Sequence, residues 1–175
     1  MTQSQPVSTG RPATPPLPVV AGVGVVVAGI LLIVFSFMGW ATNDESTISV
    51  SGLGSVSADG IDEHMESMLE TSTHATGVWT IVFGVLLVLA GLALVFRLFP
   101  QMSGVFAGLI GIAAFITTVV FFADPAGVLP DEVTSADHVN RGTGLWLVFI
   151  GGIIGLVAGV LAFVATNLGD KLGKR

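Results

Sequence analysis

The chain contains no cysteine. That excludes a disulfide framework, thiol catalysis and thiolate metal sites, and leaves the compartment open. Charge is almost as scarce, at 10% of 175 residues, where an ordinary soluble domain carries roughly 25%. A chain that is 52% hydrophobic with so few charges reads as a membrane protein.

Recognisable chemistry is missing too. There is no HExxH, EF-hand or DxDxDG pattern, no glycine-rich phosphate loop, no nucleophile with its base and no basic nucleic-acid patch. Gly52 and Gly54 form a GxG that lacks the strand, third glycine and helix start of a dinucleotide site. The expectation is a protein that is not an enzyme, has no cofactor and does not bind nucleic acid.

What the sequence has in abundance is long apolar runs. A helix needs about 20 apolar residues to cross roughly 30 Å of hydrocarbon. Four runs qualify, at 18–40, 76–97, 102–123 and 143–167. None alternates in the manner of a membrane barrel strand. The first run is longer than the 7 to 15 residues of a signal-peptide core and is read as a retained helix. Residues 98–101 make a tight turn, in which Pro100 lacks a backbone donor.

The interiors of these runs hold no Asp, Glu, Lys, Arg or His. Buried ionisable groups mark proton relays and ion pathways, so an ion-coupled transporter, an intramembrane protease and a haem protein with buried axial histidines are disfavoured. Ser36, Thr80, Thr117 and Thr118 are polar breaks, and such hydroxyls ordinarily bond their own backbone or a neighbouring helix.

Alternating the spans puts residues 1–17, the turn at Arg97 and the tail 168–175 on one side, with net charge +4. The loops 41–75 and 124–142 fall on the other, with net charge −10, Arg141 being their only basic residue. Basic residues in short flanks mark the cytoplasmic face, so both termini are expected inside a plasma membrane and both loops outside. The Pro-rich tail 1–17 has no apolar face and is expected to be disordered.

In the first loop, Ile48 and Val50 alternate with serines around "GLG", which predicts a β-hairpin over 47–58. Ile61, Met65, Met68 and Leu69 then fall on one stripe of a helix over 60–71, with Asp59 at its N-cap and Asp62 and Glu63 in its first turn. That stripe is the candidate partner-docking surface. Asp62, Glu66 and Glu70, with His64 and His74 nearby, invite a cation-site reading, but a wet face opposite the stripe explains them equally and no metal is assigned. The second loop has two prolines and no period, and is expected to be irregular with one short helical turn.

Candidate helix-packing residues are Gly24 with Ala28, Gly104 with Gly108, and Gly151 with Gly155 and Gly159, each set spaced by four. They serve either packing within the bundle or a partner helix. Trp40, Trp79 and Trp146 stand at the outer ends of three spans and are candidate interface anchors. The fold class expected is an all-α membrane protein, a four-helix transmembrane bundle with a small extracytoplasmic β-hairpin plus helix in the first outer loop.

This layout resembles the claudin-type tetraspan architecture: four spans, termini inside, a large first loop of strands followed by a helix, and Trp40 after the first span. The Gly-, Ala- and Val-rich spans and acidic loops are also similar to small actinobacterial tetraspan proteins. That resemblance implies an accessory subunit of a cell-envelope complex, with a Mce-type lipid transporter favoured and a respiratory assembly possible. Its expected partners are membrane lipids and other membrane subunits. Neither resemblance carries over a functional residue. A small homo-oligomeric channel or transporter for an apolar molecule is the competing expectation, and a lipid-acting enzyme using the loop carboxylates is a third.

Overall fold

The computed structural model describes residues 17–43, 48–58, 76–125 and 139–172. Four helices dominate: α1 (Leu17–Ser36), α2 (Val78–Val95), α3 (Pro100–Ala123) and α4 (Thr143–Leu172). Glycine and valine are poor helix formers in water. In hydrocarbon the rule is different, because every backbone donor must be satisfied within its own segment, and a helix achieves that. All four helices are long and apolar enough to span a membrane, and large side chains such as Val20, Leu89, Leu109 and Val157 project from their outer surfaces.

Each helix is antiparallel to the next, and α1 packs against both α2 and α4 while α3 closes the ring. Several helix limits differ from the sequence reading. α2 is shorter than 76–97, and α4 runs five residues beyond 167. α3 starts at Pro100 instead of 102, since proline suits the first helical position, where its missing N–H has no partner to lose. α2 ends in a left-handed cap: Leu98 N donates to Ala93 O at 3.0 Å, and Arg97 takes φ 53°.

The first span is corrected most. It was expected to run to Trp40, but the helix stops at Ser36. Phe37 and Met38 donate to Val34 and Phe35 three residues back, tightening the last turn, and Gly39 begins a strand.

That strand, β1 (Gly39–Asn43), joins β2 (Ile48–Ser51), β3 (Val56–Ala58) and β4 (Val139–Arg141) in a sheet of order β3-β2-β1-β4. All pairings are antiparallel: Thr42 faces Ser49 on one side and Asn140 on the other, and Ser49 faces Ser57. The expected hairpin exists as β2 and β3, with Gly54 at φ 83° in its turn. It is half of a larger sheet that draws on both connecting segments, so the second loop, expected to be irregular, supplies a strand. The expected helix over 60–71 and the N-terminal tail lie outside the described residues.

The sheet and bundle share one core. Trp40, Ala41, Val50 and Val56 of the sheet are buried in the same cluster as Val25, Leu32, Leu87 and Leu145 of the helices. We call this end of the bundle the sheet end, and the end bearing the α2–α3 turn the turn end.

Candidate functional site at the junction of sheet and bundle

The junction is built around Trp40. The β1–β2 register slips between Gly39 and Ala41, so Trp40 sits at a bulge. A bulge re-aims a side chain, and here the indole is fully buried. Its Nε1–H donates to Phe35 O at 3.2 Å, and its ring lies 5.5 Å from that of Phe121 on α3. Gly52 lies against the indole, where a methyl group would come within 2.5 Å of Cε2. Two backbone bonds close the frame: Gly142 N donates to Trp40 O and Gly77 N to Gly52 O, both at 2.7 Å. The starts of α2 and α4 are thereby pinned to the sheet.

Below this frame the helices meet along seams of small residues. On α1, Gly22, Gly29 and Ser36 are buried at seven-residue spacing, and Gly77, Gly84 and Gly91 recur at the same spacing in and before α2. Gly22 opposes Gly91 and Gly29 opposes Gly84, each close to the other's carbonyl oxygen. At the sheet end of this seam, Ser36 Oγ donates to Leu32 O at 2.6 Å and Thr80 Oγ1 to Gly77 O at 2.7 Å, and the two hydroxyls also meet each other. Each hydroxyl has one proton, so three contacts share two protons.

The candidate packing residues all face other helices of this chain. Gly24 meets Ala158, and Gly155 meets Ala28 and Leu87. Gly151 meets Leu31 and Leu32, Gly159 meets the Ala107 carbonyl, Gly104 meets Thr166 and Gly108 meets Phe163. The four-residue ridge of α4 therefore divides among all three other helices. The spacing-of-seven seam on α2 was missed, although Gly77, Gly84 and Gly91 carry it openly in the sequence. The hydroxyls behave as expected: Thr117 and Thr118 donate to Ala113 O and Phe115 O of their own helix.

The three tryptophans separate. Trp79 and Trp146 are 61% and 50% exposed, as suits rings at a boundary, whereas Trp40 is 0% exposed and is a core residue. Its position after an apolar run imitates a belt residue, and only the bulge reveals its direction. The docking residues Ile61, Met65, Met68 and Leu69, and the carboxylates and histidines beside them, lie outside the described residues.

A second cluster sits on the α3–α4 side. Arg141 Nε donates to Phe122 O at 3.0 Å, and its guanidinium lies 4.9 Å from the Phe122 ring centre. Phe122 also meets Trp146 edge-on at 4.7 Å and stacks on Phe149 at 4.5 Å. On the outside of the bundle an apolar groove of about 410 Å³ runs between α1 and α4, lined by residues that include Leu17, Gly24, Val157 and Leu161. A smaller one of about 180 Å³ lies between α3 and α4 at Leu109 and Phe163.

The fold and junction define a multi-pass membrane protein with four candidate spans and a small antiparallel sheet clamped to one end. No protein-family model matches the chain, and comparison with curated proteins gives no significant match.

Proposed function

We propose that the protein is a non-enzymatic integral membrane subunit that assembles or stabilises a larger cell-envelope complex. A Mce-type lipid transport system is the complex we favour, on the resemblance of its layout and sequence style. Charge asymmetry supports a plasma-membrane orientation with both termini cytoplasmic and the sheet outside.

The observation that carries this reading is the shared core of sheet and bundle through Trp40. A sheet hung on flexible loops could not transmit position, whereas one locked to three helices can present a partner with a fixed surface. The small-residue seams are consumed within the chain, so the partner is met chiefly by the sheet and by residues 59–75. That segment leaves from β3 and returns at Thr76, tethered to the junction at both ends. Ile61, Met65 and Met68 supply its apolar contacts.

The test is gentle extraction of the native protein, mass spectrometry of its co-purifying subunits, and repetition with Ile61, Met65 and Met68 changed to serine. Loss of a reproducible set of larger subunits, with the variant still inserted, is the expected result. Unchanged co-purification would sink the docking role. The second reading, a homo-oligomeric channel or transporter for an apolar molecule, draws on the groove between α1 and α4. It predicts recovery of the protein with copies of itself and no foreign subunit.

A further inference from the structure

We propose that Arg141, Phe122 and Trp146 form a binding site for the phosphate of a membrane phospholipid, whose acyl chains lie along α4. This inference does not rest on the accessory role proposed above.

The argument begins with how Arg141 is held. The residue is exposed, in β4 at the sheet end, yet its side chain is not left to wander. The Nε–H is fixed on the last turn of α3 through Phe122 O, and the guanidinium plane rests over the Phe122 ring. An Arg guanidinium carries five N–H donors in a rigid fork. Holding it by Nε fixes the orientation of the other four, the geometry that matches two oxygens of a phosphate. An arginine needed only to tie β4 to α3 would serve as well buried, and this one is exposed.

The surroundings identify the phosphate as one carried by a lipid. Trp146 packs edge-on against the same Phe122 and is half exposed in the first turn of α4, the position of an aromatic at the boundary of water and hydrocarbon. From Trp146 an exposed apolar stripe descends α4 through Ile150, Ile153 and Val157, at steps of four, three and four. Eleven residues of helix rise about 16 Å, close to half of a hydrocarbon core about 30 Å thick. Headgroup contact and chain contact are thus arranged in line, over the depth of one leaflet. A free phosphate would use the arginine alone and make no contact with the stripe.

The experiment uses the full-length protein purified in a mild detergent. Native mass spectrometry counts retained lipid after addition of dioleoyl-phosphatidylglycerol, dioleoyl-phosphatidylethanolamine or dioleoylglycerol, which has the same chains and no phosphate. Both phospholipids should be retained about tenfold more than dioleoylglycerol, the ratio expected for one charge-assisted hydrogen-bonded contact. Arg141→Gln should abolish that preference, and Phe122→Leu, which keeps the charge but removes the aromatic shelf, should reduce it several-fold. Equal retention of dioleoylglycerol by the unaltered protein would overturn the proposal without any variant having to fold. So would an undiminished preference in Arg141→Gln, and so would displacement of the phospholipid by inorganic phosphate at comparable concentration, which would make this a site for the free ion.

Discussion

Helix α1 makes two long seams with the same seven-residue period and opposite content. Toward α2 it presents Gly22, Gly29 and Ser36, and meets Gly91, Gly84 and the start of α2 at Gly77 and Thr80: small residue on small residue. Toward α4 it presents Gly24 and Leu31, with Met38 just past its end, and meets Ala158, Gly151 and Gly144, so that the second layer sets a large side chain against a glycine and the third brings Gly144 close to the Met38 side chain and the Gly39 carbonyl. A period near 3.5 keeps both seams in register along the helix. What differs is the depth of approach. In the first seam a backbone carbonyl stands across from each of Gly22, Gly29, Gly84 and Gly91, beside the side chains of Val26, Ile33, Val88 and Leu94; in the second, Gly24 and Gly151 face side chains alone. Lipid tails are as apolar as leucine, so neither seam is driven by the exclusion of water. Close fit holds both, by backbone contact in one and interlocked side chains in the other.

The largest expected effect comes from adding one methyl group to the first seam. In Gly29→Ala the new methyl would meet Gly84 O at 2.5 Å and Val88 N at 2.9 Å, both backbone atoms that no rotamer change can move. Overpacking costs of about 1–3 kcal/mol are usual, and unyielding neighbours place this one near 3. The measurement is the unfolding midpoint of the detergent-solubilised protein against a denaturing detergent. An unchanged midpoint would mean that the backbones of α1 and α2 are not in contact.

The second seam should break by subtraction. Leu32 is fully buried and its side chain lies against Gly151. Leu32→Ala removes that filling. The transfer part of the usual leucine loss cancels in a lipid environment, and the remaining cavity part is about 2 kcal/mol. If Leu32→Ala proved neutral while Gly29→Ala was severe, α4 would be adjusting to fill the gap and the contrast between the seams would be sharper still.

A smaller effect lies where the first seam reaches the junction. Ser36 and Thr80 share two protons among three contacts, so removing one hydroxyl leaves the other with a backbone acceptor. A double-mutant cycle of Ser36→Ala and Thr80→Val should give a coupling of about 0.6 kcal/mol, typical of hydroxyl contacts between membrane helices. A coupling of zero would show that each hydroxyl serves only its own helix.

The spans were legible because composition and length alone decide them: a charge-free run of this length has few alternatives in a membrane. The β2–β3 hairpin was legible from Ile48 and Val50 alternating with serines around Gly54. β1 and β4 were not. "GWATN" and "VNR" are too short to show a period, and their pairing joins residues about a hundred positions apart. Trp40 was misread for a related reason, since a bulge, not a motif, turns it inward. The glycine seams were half legible. With 23 glycines, many spacings of four occur by chance, and they mask the spacing of seven that brings α1 and α2 into backbone contact. Arg141 was visible as the only basic residue of its loop, but nothing local placed it over Phe122, nineteen residues earlier in the chain.

A comparably small effect reverses sign. Gly151 belongs to the four-residue ridge that the sequence displays, yet a methyl group there would lie 3.4 Å from Leu32 Cδ2 and 3.5 Å from Leu31 Cβ, ordinary van der Waals separations. Alanine at a helical position compatible with its backbone typically stabilises by about 0.4–1 kcal/mol relative to glycine. Gly151→Ala should therefore raise the unfolding midpoint slightly, the opposite of Gly29→Ala on the facing helix. Destabilisation by Gly151→Ala would place the backbones of α1 and α4 as close as those of α1 and α2, and would make the two seams one kind of contact. A gain would show that Gly151, which faces only side chains at ordinary distances, is dispensable where Gly29, which faces the backbone of α2, is not.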